Sequence, residues 1–230
     1  VNTYFYVKYI DEILACKKVL ELPVKEVKAL REKRKALVSA IKKTYYNEKT
    51  GDFAGNIQGA NAFAVDIGIG TKKTFDNMIK VYDEKHMYYN TGIFGTDILT
   101  RVLFERGRGD LAVKLLSGEG KYSFGNLKNQ DATTLWEYWT GRRSHSHPMF
   151  GAVVAYLFRY ILGISQEKDS FGYEKILIEP RMIDCIGNFS GSIALPQGTA
   201  SVSIEYGERF ARFTVNIPAE GIFRYKDTEI

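Results

Sequence analysis

The sequence predicts a mainly α chain that ends in β: a helical N-terminal part followed by a small antiparallel β module. Two observations carry that prediction. Apolar residues recur at helical spacing through the first two thirds of the chain, and from about residue 170 the period shortens to that of alternating strands. A run of helices followed by a run of strands implies segregated layers or domains. We therefore expect a helical domain over residues 1–168 and a small β-sandwich, jelly-roll-like, over 169–230.

Taken in order, Val7, Ile10, Ile13, Leu14 and Cys16 form a stripe over 3–20 that Pro23 closes. Val27, Leu30, Leu37, Val38, Ile41 and Tyr45 form a second over 24–46. Residues 47–52 are polar with a glycine and read as a loop. A short Ala-rich helix over 58–67 precedes one over 71–85, which Thr71 is placed to cap and which His86 follows. Residues 93–106 and 110–116 form a helical pair broken at Gly107 and Gly109. Residues 148–162 are apolar nearly all round, as in a buried helix, with Pro148 in the first turn, where its missing N–H costs nothing. Beyond them Ile176/Ile178, Val202/Ile204/Tyr206 and Phe213/Val215/Ile217 alternate with polar neighbours.

The 230 residues are 45% hydrophobic and 26% charged, a globular rather than a disordered composition. The net charge of +5 is concentrated in residues 1–50, which hold 12 Lys and Arg against 6 Asp and Glu. Lys25, Lys28, Arg31, Lys33, Arg34 and Lys35 read as a solvated helix face, and no nucleic-acid signature accompanies them. Cys16 and Cys185 lie far apart and read as two buried free thiols. No run of 18 apolar residues marks a membrane span, and the compartment stays open.

The segment 129–139, Asn-Gln-Asp-Ala-Thr-Thr-Leu-Trp-Glu-Tyr-Trp, holds both tryptophans of the chain, on either side of Glu137. Indole faces stack on the C–H faces of sugars, and a glutamate beside an apolar wall suits general acid or base work. The same residues would also fit a glutamate at a helix start with two tryptophans in a core. Ser144-His145-Ser146-His147 directly precede the apolar helix: a histidine there could bind a substrate hydroxyl, or Ser146 could cap the helix with both histidines exposed. Two histidines two residues apart, with His86 elsewhere, make a poor zinc set. Gly92-Ile93-Phe94-Gly95-Thr96 lacks the lysine of a phosphate loop, so its glycines, like Gly55 and Gly59, read as permitting close backbone approach.

In order along the chain, Tyr45-Tyr46…Thr50-Gly51, Gln58…Ala60…Ala62, Asn90-Thr91-Gly92-Ile93-Phe94-Gly95-Thr96 and Gly109-Asp110-Leu111-Ala112 are followed by Ala132-Thr133-Thr134-Leu135-Trp136-Glu137-Tyr138-Trp139, Ser146-His147…Gly151-Ala152 and Ile176-Leu177-Ile178-Glu179-Pro180. With these landmarks the chain resembles the α-L-rhamnosidases of glycoside hydrolase family 78, in their C-terminal portion. The resemblance implies part of an (α/α)6 toroid and a C-terminal β-sandwich. It implies hydrolysis of terminal α-L-rhamnosides with inversion, with a rhamnose-containing glycoside or polysaccharide as partner and no cofactor; the residues themselves speak for no metal, nucleic acid or membrane. Glu137 would be the general base, Trp136 or Trp139 would help wall the sugar pocket, His147 would contact rhamnose, and Thr91 and Phe94 would face the cleft. Tyr138 departs from the basic residue expected there.

An inverting glycosidase also needs a carboxylic acid about 6.5–9.5 Å from its base. In the family that acid lies in an Arg- and Asp-rich motif well before the segment at which this chain begins, and no segment here matches it. Asp66, Asp76 and Asp97 sit in helical patterns and read as surface or structural carboxylates. The chain alone is therefore expected to be inactive, and to self-associate through the exposed face of an incomplete toroid. The alternatives are a sugar-binding protein without catalysis and another (α/α)6 glycosidase or lyase.

Overall fold

The computed structural model describes residues 1–84, 88–225 and 228–229; His86 and the helix end expected at Lys85 lie outside them. Packing divides the chain into two units, Val1–Val102 and Leu103–Ile230.

In the first unit α1 (Asn2–Ala15) buries Tyr4, Val7 and Ile10, three positions one helical turn apart. It ends five residues before the expected point. The chain then turns through 16–22, with Glu21 in the left-handed region at φ 48°, before Pro23 opens α2 (Val24–Tyr45). Cys16 lies in that turn and Cys185 outside any strand, and both are exposed rather than buried. No residue of α2 is buried, so its apolar stripe is only half covered within this chain. The basic face is solvated except at Arg34, whose guanidinium donates to both carboxylate oxygens of Asp11 (2.5 and 3.0 Å) and to the Ile67 carbonyl (3.1 Å). The expected loop at 47–52 is closed by a two-residue hairpin, β1 (Tyr46–Asn47) with β2 (Asp52–Phe53). Next come α3 (Gln58–Asp66), α4 (Lys72–Glu84) and α5 (Ile93–Glu105). Thr71 caps α4 as expected: its hydroxyl accepts from the Thr74 N–H at 3.2 Å.

The second unit holds α6 (Gly109–Leu116) and the short α7 (Phe124–Asn129), whose Ser123 hydroxyl accepts from the Asn126 N–H at 3.1 Å. The helix expected over 148–162 is composite: a tight 3-10 stretch Pro148–Val153, one α turn Val154–Tyr156 and a wide π turn Leu157–Ile161. Pro148 opens it, but Ser146 does not cap it, and Ala152, Val154, Ala155 and Arg159 are exposed, so only one face is covered. The strands are β3 (Ile164–Gln166), β4 (Lys175–Ile178), β5 (Phe189–Leu195), β6 (Gly198–Tyr206), β7 (Ala211–Asn216), β8 (Glu220–Tyr225) and β9 (Thr228–Glu229). They form two sheets, ordered β3-β4-β8-β9 and β5-β6-β7. All pairs are antiparallel except β4 with β8. Leu162, Ile164, Ile176 and Ile178 pack with Ala200, Val202 and Ile204 as one core, the sandwich the alternation predicts. β3 begins before residue 168 and pairs with β4.

Candidate functional site

Residues 131–147 are a folded strap without regular secondary structure. Its two arms run back on each other: the Glu137 N–H donates to the Ser144 carbonyl at 2.9 Å and the His147 N–H to the Leu135 carbonyl at 2.8 Å. The Thr134 hydroxyl also donates to the His145 carbonyl. The reversal comes at Gly141, whose φ of +69° is open to glycine at little cost and whose N–H donates to the Tyr138 carbonyl at 3.0 Å. A Cβ there would also meet the Trp136 ring at 2.9 Å.

Both tryptophans are buried, Trp136 7% and Trp139 6% exposed. His145 stacks on Trp136 (4.3 Å between centroids, 14°) and bonds through its Nε2 to the Gly141 carbonyl at 2.7 Å. Trp139 packs on Phe150 at 3.9 Å and meets Phe124 edge-on at 5.2 Å. Glu137 thus stands in a loop, not at a helix start. The tryptophans support the strap from behind rather than offering open stacking faces.

The Glu137 side chain is 22% exposed. Its Oε1 lies 3.7 Å from Nη1 of Arg143, and its Oε2 accepts from the Ser144 N–H at 3.5 Å. Arg143 sits at φ +62° with its guanidinium 5.8 Å from the centre of the half-exposed Tyr138 ring. His147 is partly buried, and its Nε2 is a buried atom with no hydrogen-bond partner. A polar atom left so is uncommon and suits a ligand hydroxyl. The structure thus brings Trp136, Glu137, Trp139 and His147 into one strap of the second unit. Arg143 is not singled out by the sequence, and Ser144 only as the first residue of the Ser-His-Ser-His run, not as a partner of Glu137. The available signal was Gly141, a reversal that sets residue 144 opposite residue 137.

Thr91 and Phe94 belong to the first unit. The Thr91 hydroxyl bonds that of the buried Thr96 at 2.8 Å, and Gly95 packs so closely on Thr91 that a Cβ would approach the Thr91 Cβ to 2.8 Å, the close approach expected of that glycine. Phe94 is half-exposed and meets Phe5 edge-on at 5.2 Å. Both line a mostly apolar cavity of about 540 Å³ with Tyr4, Ile41, Tyr45 and Ile57.

Of the carboxylates considered from sequence, Asp66 and Asp76 are held in ion pairs. Asp66, its side chain 2% exposed, accepts from the Tyr4 hydroxyl at 2.6 Å and pairs with Arg101 at 2.7 Å and Lys8 at 3.4 Å. Burial alone would push its pKa up, but the hydrogen bonds from Tyr4 and Arg101 together with the charges of Arg101 and Lys8 outweigh it and hold the carboxyl below its ordinary value. Asp76 pairs with Lys72 at 2.6 Å on the surface. Among the described residues no three His, Cys, Asp or Glu side chains cluster as a metal site, and no helix is long and apolar enough to cross a membrane.

The family model described as the bacterial alpha-L-rhamnosidase 6 hairpin glycosidase domain matches residues 1–161. The α-L-rhamnosidase of Alteromonas sp. (strain LOR) is 28% identical over 220 residues, 88% of this chain and 24% of that protein. One from Formosa agariphila is 27% identical over 203 residues, 82% of this chain and 21% of that one. The chain thus spans less than a quarter of the length of the curated relatives it matches. Among solved structures, the Streptomyces avermitilis α-L-rhamnosidase complexed with L-rhamnose superposes with a TM-score of 0.83 at 20% identity, over 96% of this chain and 22% of that one. The α-L-rhamnosidase from Dictyoglumus thermophilum gives 0.81 at 24% identity, over 96% and 26%.

Proposed function

The chain belongs to the bacterial α-L-rhamnosidase six-hairpin glycosidase family, and from that premise we propose that it carries the base half of a site that hydrolyses terminal α-L-rhamnosides with inversion. Residues 1–168 supply the toroid helices and 169–230 most of the sandwich, to which β3 adds a strand from before residue 168. Glu137 takes a proton from water as the water oxygen bonds to the anomeric carbon, and the glycosidic oxygen leaves from the opposite face. His147 Nε2 binds a rhamnose hydroxyl. Trp136 or Trp139 helps wall the sugar pocket, and Thr91 and Phe94 face the cleft. The observation that carries the reading is the strap itself: it fixes Glu137 beside Arg143 and Ser144 and holds the unpartnered His147 nitrogen in the same pair of arms.

The leaving oxygen needs a proton, and Asp66 and Asp76, ion-paired to cations, are poor proton donors. The chain alone is therefore inactive on ordinary rhamnosides. It also self-associates: exposed Tyr45, Ile57 and Phe94 ring the apolar cavity beside the half-covered α2.

α-L-Rhamnosyl fluoride tests the reading, because fluoride departs without protonation. The C–F bond breaks, water bonds to the anomeric carbon, and its proton passes to Glu137. The chain is expected to accelerate fluoride release, to lose that in Glu137→Gln, and to leave an alkyl α-L-rhamnoside intact. No acceleration by the wild type would sink the base assignment. Hydrolysis of the alkyl rhamnoside by this chain alone, abolished by Glu137→Gln, would sink the inactivity.

A further inference from the structure

A base that delivers water to one face of a sugar ring has to keep one carboxylate oxygen aimed and cannot swing freely about its side-chain torsions. In this chain the two oxygens of Glu137 meet donors from consecutive residues of the opposite arm: Oε1 the Arg143 guanidinium at 3.7 Å, Oε2 the Ser144 N–H at 3.5 Å. The pairing is closed by a bond in the other direction, since the Ser144 carbonyl accepts from the Glu137 N–H at 2.9 Å. The backbone and the side chain of one residue are thus both read by the same short stretch of the facing arm.

Arg143 is the unusual member. It adopts φ +62°, a conformation that costs a non-glycine residue roughly 1 kcal/mol or more. That turn carries the guanidinium over the Tyr138 ring at 5.8 Å and alongside Oε1. The side chain is 73% exposed, so as an ion pair it adds little to folding stability. Its strained backbone and its aim are better explained by what it does to Glu137.

We propose that Arg143 is a positioning residue for the reaction: with the Ser144 N–H it clamps the Glu137 carboxylate in the orientation from which it activates water. This rests on Glu137 being the base. Arg143 touches neither water nor sugar in that role and acts only through Glu137.

The experiment follows α-L-rhamnosyl fluoride hydrolysis by the whole chain, as wild type and as Glu137→Gln, Arg143→Gln, Arg143→Lys and Arg143→Gly. Arg143→Gln is expected to lower kcat about fivefold with KM nearly unchanged, the scale of one exposed charge interaction. Arg143→Lys should recover most of that rate, since it returns the cation. Arg143→Gly relieves the backbone strain, so it should unfold no more readily than wild type and still be as slow as Arg143→Gln. That split separates a positioning role from a merely structural one. If the wild type turns over, Glu137→Gln does not, and Arg143→Gln matches the wild type, the clamp is overturned and the base assignment stands. A rate loss that tracks stability across the three Arg143 variants also overturns it. An unreactive wild type overturns both.

Discussion

The Asp66 cluster of the first unit and the strap of the second are fastened in opposite ways. Asp66 draws together Tyr4 and Lys8 from α1 and Arg101 from α5, partners tens of residues distant, around one nearly inaccessible carboxylate. The strap is fastened by many small and local contacts: Glu137 to Ser144, Leu135 to His147, Gly141 to Tyr138, and the ring of His145 on Trp136. A few buried charges make a fixing that fails all at once, because removing one partner leaves the others desolvated without compensation. Numerous backbone bonds and one stacked pair make a fixing that loosens by degrees.

The sharpest way to break this contrast is Asp66→Ala, which removes the buried carboxylate that Tyr4, Lys8 and Arg101 share. It is expected to cost about 3–5 kcal/mol. The probes separate well, because the two tryptophans of the chain both lie in the strap. Helical circular dichroism should lose its transition at much lower denaturant, while tryptophan emission moves less. Equal displacement of both signals would refute the idea that the two fixings are independent.

Acid should act on the same group with a smaller effect. The folded carboxyl of Asp66 lies below its ordinary value because the effect of burial is outweighed by the Tyr4 and Arg101 hydrogen bonds together with the charges of Arg101 and Lys8. Its contribution is therefore fully present above the unfolded pKa of about 3.9 and is lost as pH falls through the folded value. Helical stability measured by denaturant titration should be level from pH 7 to about 5 and should fall below about 4. In Asp66→Ala that part of the fall should be absent.

The same contrast explains how much could be read in advance. α2 follows from the spacing of apolar residues and α3 from its Ala-rich composition, and the sandwich core of Ile176, Ile178, Val202 and Ile204 follows from alternation, because these are local signals. Arg34 was legible only as one basic residue among several. Its bonds to Asp11 and the Ile67 carbonyl depend on how three segments meet, which spacing along one helix does not encode. The stretch 148–162 has the composition of a buried helix yet winds tight and then wide and exposes one face, since composition does not report which side finds a neighbour. In the strap, Glu137 and its tryptophans were legible from their chemistry, but the partners of Glu137 were not. They depend on the left-handed turns at Gly141 and Arg143, and only the first of these has a residue type that announces it.

Gly141→Ala tests that turn. Alanine at φ +69° is strained, and its Cβ would lie 2.9 Å from the Trp136 ring, so a loss of about 1–3 kcal/mol is expected. The disturbance should appear first in tryptophan emission, with helical circular dichroism following only at higher denaturant. A parallel shift of the two signals would place the turn in the global fold rather than in the strap.

The smallest effect belongs to His145→Ala. The imidazole covers one face of Trp136 and bonds the Gly141 carbonyl at 2.7 Å, so it joins the turn to the ring beneath it. Removing it takes away one stack and one hydrogen bond, together about 1 kcal/mol, while the backbone bonds between the arms remain. Trp136 should then be more readily quenched by acrylamide with little change in the unfolding midpoint. His145→Phe keeps the stack and loses the bond, so it should restore protection of the indole without restoring the turn. If His145→Ala instead unfolded the second unit outright, the strap would depend on a single pin, and the distinction between a fixing that fails at once and one that loosens by degrees would be lost.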